Sequence, residues 1–260
     1  MKSVVRLFAI VALALALLPR DAVAQANSIF QATLAETNQK TEEVSTEQIR
    51  RILIDGSALI VDTRARAEYV AGHIPGARVL DNASSQVVAV ERLVNGDKSK
   101  SLVLYCNGPY CGQSKRLSDQ LVTAGFTNVR RYQLGIPVWR ALGGPTEIEL
   151  EGIIRIFKVD RTAVFIDARS AEEFKKSSLP GARNLAVENV NATVQKLAAG
   201  EIQNAPLPLD DFNTRIVLFG RDAAHARTIA DLFVKKPWQN VTYFPGSFEA
   251  LATAIAAHNK

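Results

Sequence analysis

Two spacings of apolar residues alternate along this chain. Ile49, Ile52 and Leu53 mark one face of a helix that opens at Val44-Ser45-Thr46-Glu47-Gln48, where Ser45 or Thr46 can cap the first turn. Ala58 to Val61 is a short apolar run that ends in Asp62-Thr63-Arg64 and reads as a buried strand. Glu68-Tyr69 falls in a short helix. Gly72-His73-Ile74-Pro75-Gly76-Ala77-Arg78 is a turn leading to more extended chain. Leu102-Val103-Leu104-Tyr105 is a second apolar run of β character, and Cys106 ends it. Asn107-Gly108-Pro109 then breaks any regular element. From Ser114 the spacing becomes helical, with Leu117, Leu121 and Val122 on one face and Gly125 as the stop.

The second half repeats the first. Ile153, Ile154 and Phe157 form a helical face, Ala163 to Ile166 reads as a strand ending in Asp167-Ala168-Arg169, and Glu173-Phe174 and Leu179-Pro180-Gly181-Ala182-Arg183 follow. Asp62 and Asp167, Arg64 and Arg169, and Gly76 and Gly181 each lie 105 residues apart. Such a constant register marks a tandem duplication with its boundary near Thr146. Arg215 to Phe219 answers the strand before Cys106 at an offset of 114, so about nine residues are inserted, most plausibly between Asn191 and Asn213. Gly220 stands where the cysteine would be, followed by Arg221-Asp222-Ala223-Ala224-His225. Strands alternating with helices predict an α/β fold: two domains, each a central, mostly parallel sheet flanked by helices.

With 260 residues the chain has room for two ordinary domains, and 47% apolar with 22% charged residues is a globular composition. Lys2 and Arg6, the apolar stretch Val4 to Leu18 and Ala22-Val23-Ala24 have the order of a secretory signal, cut after Ala24. A retained N-terminal anchor is the alternative. No cysteine follows the apolar stretch, so a lipoprotein anchor is not expected. The expected organisation is a signal peptide over 1–24, a polar linker with at most one loose helix over 25–43, a domain over 44–146 and a second over 147–260. The mature chain is expected in a bacterial periplasm, with no membrane segment after cleavage. Cleavage lowers the formal charge from +5 to +3, a weak field suited to small anions that gives no reason to expect nucleic acid.

Cys106 and Cys111 are the two cysteines of the chain, and both lie in one loop. A structural disulfide framework ties distant segments together, so this pair points to chemistry instead. Three scattered histidines and two cysteines give no usable ligand spacing, and no metal or other cofactor is expected. Ligands of parallel sheets bind beyond the carboxyl ends of strands, where a helix start offers backbone N–H groups and partial positive charge. A cysteine so placed is expected to react as thiolate, with Lys115 and Arg116 adding positive charge nearby. The bland alternative is a cysteine that only packs.

These residues together resemble the rhodanese family over Ser45 to Pro145, and again over about Leu150 to Ala257. The marks are Val61-Asp62-Thr63-Arg64, Glu68-Tyr69, Gly72 to Ala77, Leu104-Tyr105-Cys106, and Gly135 through Trp139 to Leu142-Gly143-Gly144-Pro145. The resemblance implies two rhodanese-like domains and a sulfurtransferase. Cys106 would take the outer sulfur of a small anionic donor such as thiosulfate as a persulfide and pass it to a thiol or cyanide-like acceptor. The N–H groups of Asn107, Gly108, Tyr110, Cys111, Gly112 and Gln113, with Pro109 and Ser114 in the same loop, would cradle the anions. Gly108 and Gly112 would supply the unusual backbone angles. Asp62 and Arg64 would fix the loops around the pocket, either as a structural ion pair or by touching substrate. His73 is expected to steady a loop and Trp139 to pack in the core.

Departures from the family pattern keep other readings open. Ser114 lies eight residues after Cys106, two more than in the common single-cysteine members, which implies a longer loop. The related cell-cycle phosphatases place Arg where this chain has Gly112, so phosphatase chemistry is not expected. Cys111 is within disulfide reach of Cys106, either to resolve it or merely to pack. The cysteine sits in the first domain, whereas the usual tandem members carry it in the second. Two alternatives therefore stand beside the sulfurtransferase: a periplasmic thiol–disulfide relay through both cysteines, and a non-catalytic sulfur-binding module whose second domain docks a protein partner.

Overall fold

A computed structural model describes residues 28–34, 36–80, 85–203, 205–234 and 236–258. The expected signal segment, residues 1–24, lies outside the described residues. In the first domain β1 is Glu42–Glu43, α1 Thr46–Asp55, β2 Leu59–Asp62, α2 Arg66–Val70, β3 Arg78–Val79, α3 Gln86–Leu93, β4 Leu102–Tyr105, α4 Gly112–Thr123, β5 Val129–Tyr132 and α5 Gly135–Ala141. The second follows with β6 at Thr146–Glu147, α6 at Leu150–Val159, β7 at Val164–Asp167, α7 at Ala171–Lys176 and β8 at Arg183–Asn184. It ends with α8 at Val190–Ala198, β9 at Ile216–Phe219, α9 at Ala223–Leu232, β10 at Val241–Tyr243 and α10 at Phe248–His258.

The strand orders are β1-β5-β4-β2-β3 and β6-β10-β9-β7-β8, the same order twice, and every strand pairing within the sheets is parallel. The expected α/β class with two parallel-sheet units is what the chain adopts. Parallel strands buried on both faces must be apolar throughout. Accordingly Leu102, Val103, Leu104 and Tyr105 are all fully buried. Their side chains alternate between two core layers, Val103 and Tyr105 on one side of the sheet and Leu102 and Leu104 on the other. In β9, Ile216 and Leu218 divide from Val217 and Phe219 in the same way.

Several boundaries differ from expectation. Glu42 and Glu43, read as linker, form an edge strand opposite Arg130 and Arg131 of β5. These residues have little β preference of their own; the Val44 N–H on the Arg131 carbonyl and the Leu34 N–H on Glu43 Oε2 hold the segment in place. Thr146, expected to close the first domain, pairs with Thr242 and belongs to the second sheet. Val122 is 38% exposed, because the buried face of α4 runs through Ser114, Leu117, Ser118 and Leu121, and position 122 turns past it. The nine-residue insertion lies between α8 and β9, where 17 residues replace the 8 between α3 and β4.

The second domain docks on the α2–β3 segment of the first. His73 and Glu147 exchange backbone hydrogen bonds as an antiparallel bridge, and the Glu149 N–H donates to the Val70 carbonyl. Gly152 of α6 lies against that carbonyl so closely that any side chain there would clash. His73 also stacks on Tyr69 and sets its Nε2 3.5 Å from Glu147 Oε2, so it steadies a loop by serving the domain contact. The Glu147 carboxyl is held below the usual carboxylate range. Burial works against its charge, but the His73 and Gly76 hydrogen bonds outweigh burial. Trp139 is buried and donates its indole N–H to the Pro145 carbonyl.

Candidate active site

The sheet order reverses between β2 and β4. From β2 the chain goes to β3 on one side, and from β4 to β5 on the other. That reversal opens a crevice beyond the carboxyl ends of the two strands. Asp62, the last residue of β2, pairs in register with Tyr105, the last residue of β4, so Cys106 leaves the sheet at the crevice. Six residues, Cys106 to Cys111, connect β4 to Gly112, the first residue of α4. The helix opens six positions after the cysteine and not at Ser114, so the longer loop expected from the sequence is absent.

Close backbone packing shapes the loop. Gly108 has φ 95°, in the left-handed region that glycine alone adopts without strain. The Cys111 N–H donates to the Gly108 carbonyl, closing a turn. Beneath it Gly135, at φ 63°, approaches the Cys106 carbonyl and Gly108 so closely that an added methyl has no room, and the Ile136 N–H donates to the Cys106 carbonyl. The Asn107 side-chain amide donates to Glu68 of α2. Gly112 does not share the expected role of Gly108. It takes no left-handed angle, and a Cβ there would meet open space.

Cys106 and Cys111 are joined by a disulfide. Cys106 is 2% exposed, whereas Cys111 is half-buried at the N-cap of α4 and makes no side-chain cap hydrogen bond. The start of α4 therefore has no side-chain cap, and its first-turn N–H groups carry the partial positive charge of a helix start. Gln113 Oε1 lies 3.6 Å from Cys106 Sγ, and Ser114 is buried under the helix. Pro109 and Tyr110 form the exposed tip, with the Tyr110 side chain wholly in solvent. Lys115 and Arg116 line a pocket of about 500 Å³ beside α4 with Lys40, Gly112 and Gln120, and Lys115 lies 3.8 Å from Glu36.

Asp62 and Arg64 form a buried ion pair. The guanidinium Nη2 donates to Asp62 Oδ2 at 2.6 Å, and also to the Gly72 carbonyl at 2.9 Å. Burial alone would weaken the Arg64 charge, but the Asp62 hydrogen bonds and charge outweigh it and hold the guanidinium above its usual pKa. Tyr105, expected only as the last residue of an apolar strand, donates its hydroxyl to Asp62 and accepts from the Ile74 N–H. Burial, then the Asp62 charge, pushes its pKa well above the ordinary value. Arg169 pairs with Asp167 at 2.7 Å and donates to the Ser177 carbonyl in the same manner, in a domain without cysteine. The same buried ion pair thus ties loops together in both domains, with and without a cysteine. Among the described residues no cluster of His, Cys, Asp or Glu is placed to hold a metal, and no helix is long and apolar enough to cross a membrane.

Comparison with known proteins identifies the scaffold. The model of the rhodanese-like domain matches residues 45–142 and again residues 154–254. The thiosulfate sulfurtransferase GlpE of Pseudomonas entomophila is 34% identical over 101 residues, covering 38% of this chain and 85% of that protein. An HTH-type transcriptional regulator of Mycobacterium tuberculosis, Rv0324, is 34% identical over 92 residues, 35% of this chain and 38% of the regulator. The tRNA uridine(34) hydroxylase of Photorhabdus laumondii is 30% identical over 97 residues, covering 36% of this chain. The matched part spans only 27% of that hydroxylase, so regulator and hydroxylase each exceed it by more than half their length. Among solved structures, the Rhodanese_3 like domain of the Anabaena sp Alr3790 protein is 33% identical, with a TM-score of 0.30, covering 35% of this chain and 93% of that one. The chain belongs to the rhodanese-like domain family, whose domain it carries twice in tandem.

Proposed function

We propose that the chain is an exported sulfurtransferase that works through a persulfide on Cys106. Once the disulfide is reduced, the Cys106 thiolate attacks the outer sulfur of a small anionic sulfane donor such as thiosulfate. The new S–S bond forms as the old one breaks. Sulfite leaves with the bonding electron pair, and the persulfide anion remains on Cys106. The loop N–H groups and the start of α4 stabilise the anions at both ends of the transfer, and a thiophilic acceptor then takes the outer sulfur. The observation that carries this reading is the position of Cys106 at the β2–β4 switch point, on a six-residue loop feeding the start of α4. Likeness to a thiosulfate sulfurtransferase over 85% of its length supports the same choice of donor. The charged, apolar and small-residue order of residues 1–24 supports a periplasmic location. Small anions and a soluble acceptor are the partners this implies, with no part for nucleic acid or membrane.

The Cys106–Cys111 disulfide favours a second reading, a thiol–disulfide relay that handles electrons rather than sulfur. Turnover of thiosulfate with cyanide by pre-reduced Cys111→Ser protein, in which no internal disulfide can form, separates the two. A sulfurtransferase makes thiocyanate and sulfite, and Cys106→Ser reduces the rate to background. A relay makes neither.

A further inference from the structure

We infer that Cys111 is the internal acceptor of the Cys106 persulfide, so that the chain releases the transferred sulfur as hydrosulfide and ends each turnover as the disulfide seen in the structure. This rests on the persulfide reading above and names the acceptor that reading leaves open. The loop geometry leads to it. The Gly108 turn, closed by the Cys111 N–H on the Gly108 carbonyl, brings the two Cα atoms to 6.1 Å, and the sulfurs bond with the loop seated on Gly135 and Ile136. That separation is ordinary for a bridged pair. The attacking group is therefore already beside its target, at an effective concentration no dilute external thiol matches. Cys111 caps α4, a 12-residue helix, with no side-chain hydrogen bond to occupy its sulfur, and the helix dipole favours its thiolate. The two environments also suit the roles. Cys106 is 2% exposed at the end of β4, while Cys111 is half-buried at the helix start beside it.

The chemistry balances. Cys111 loses its proton to solvent, and its thiolate attacks Cys106 Sγ, the inner sulfur of the persulfide. The Cys106–Cys111 bond forms as the bond to the outer sulfur breaks, and the outer sulfur leaves with the electron pair as hydrosulfide. Over both steps a dithiol and thiosulfate give a disulfide, hydrogen sulfite and hydrosulfide. The protein is oxidised by two electrons, and the sulfane sulfur is reduced by the same two. Further turnover requires a dithiol reductant, small or protein-borne, to reopen the disulfide.

The test is a single turnover of the full chain, reduced, freed of reductant and mixed anaerobically with thiosulfate labelled at its outer sulfur. Wild-type protein should release about one sulfite and about one labelled sulfide per chain and finish about 2 Da lighter. Cys111→Ser and Cys111→Ala should still release about one sulfite per chain, release no sulfide, and finish about 32 Da heavier. Addition of a dithiol should turn the wild-type burst into continuous sulfide production. Wild-type protein that releases sulfite, keeps the extra sulfur and yields no sulfide overturns the inference while leaving the sulfurtransferase reading intact. No sulfite and no added sulfur in any variant overturns both.

Discussion

In the first domain six residues separate the end of β4 from the start of α4; in the second, three residues, Gly220 to Asp222, separate β9 from α9. Both loops leave a strand at the same switch point of the same sheet order. The first has room for a turn and a nucleophile. The second is pulled tight, with Asp222 capping the helix on the His225 N–H and Arg221 holding Glu173 at 2.8 Å. His225 fills the space a side chain at position 220 would need, its Nδ1 2.8 Å from where a Cβ would stand. Burial, then the Arg221 charge, lowers the His225 pKa, which suits a neutral packed imidazole. The two domains therefore share a scaffold and differ at this loop, by three extra residues and two sulfurs.

The largest effect that would sharpen this contrast belongs to the buried carboxylates. Asp62→Asn and Asp167→Asn each leave a buried guanidinium without its partner and should each cost about 3–5 kcal/mol of stability. Thermal melts should show similar losses in either domain. An Asp62 variant that melts like wild type but binds donor poorly would return that residue to the substrate. Gly135→Ala comes next. It forces a side chain into φ 63° and against the loop backbone, and should cost about 1–3 kcal/mol and most of the sulfur-transfer rate, read from melts and sulfite release. Gly56→Ala has a similar φ of 64° and open space around it, so it should cost stability alone.

A smaller effect concerns the domain contact. Because the folded Glu147 carboxyl is held below its unfolded value of 4.5, its contribution is complete above that value and is lost as pH falls through the lower folded one. The difference in melting temperature between wild type and Glu147→Gln should therefore shrink on acidification from about pH 6 to about pH 3. The smallest effect is none. Gly220→Cys in a Cys106→Ser background should restore no transfer, since neither the room nor the turn is present.

Much of this was legible in the sequence, for identifiable reasons. Buried parallel strands such as Leu102–Tyr105 and Ile216–Phe219 are uninterrupted apolar runs, and the constant spacing of Asp, Arg and Gly exposed the duplication. Two-residue edge strands left no pattern, because Glu42–Glu43 owes its place to backbone pairing with β5 and not to its own preference. The start of α4 was misplaced because Cys111 caps it without the side-chain oxygen that announces a helix. Tyr105 and Gly135 act through contacts with residues 43 and 29 positions away, which periodicity does not register.

The measurement that tests the account most directly is the intact mass of reduced Cys111→Ser protein after one equivalent of thiosulfate, followed by peptide mapping. The account predicts about 32 Da added once per chain, confined to the peptide bearing Cys106 and absent when Cys106 is also serine. An unchanged mass, or added sulfur that survives the loss of Cys106, would contradict it.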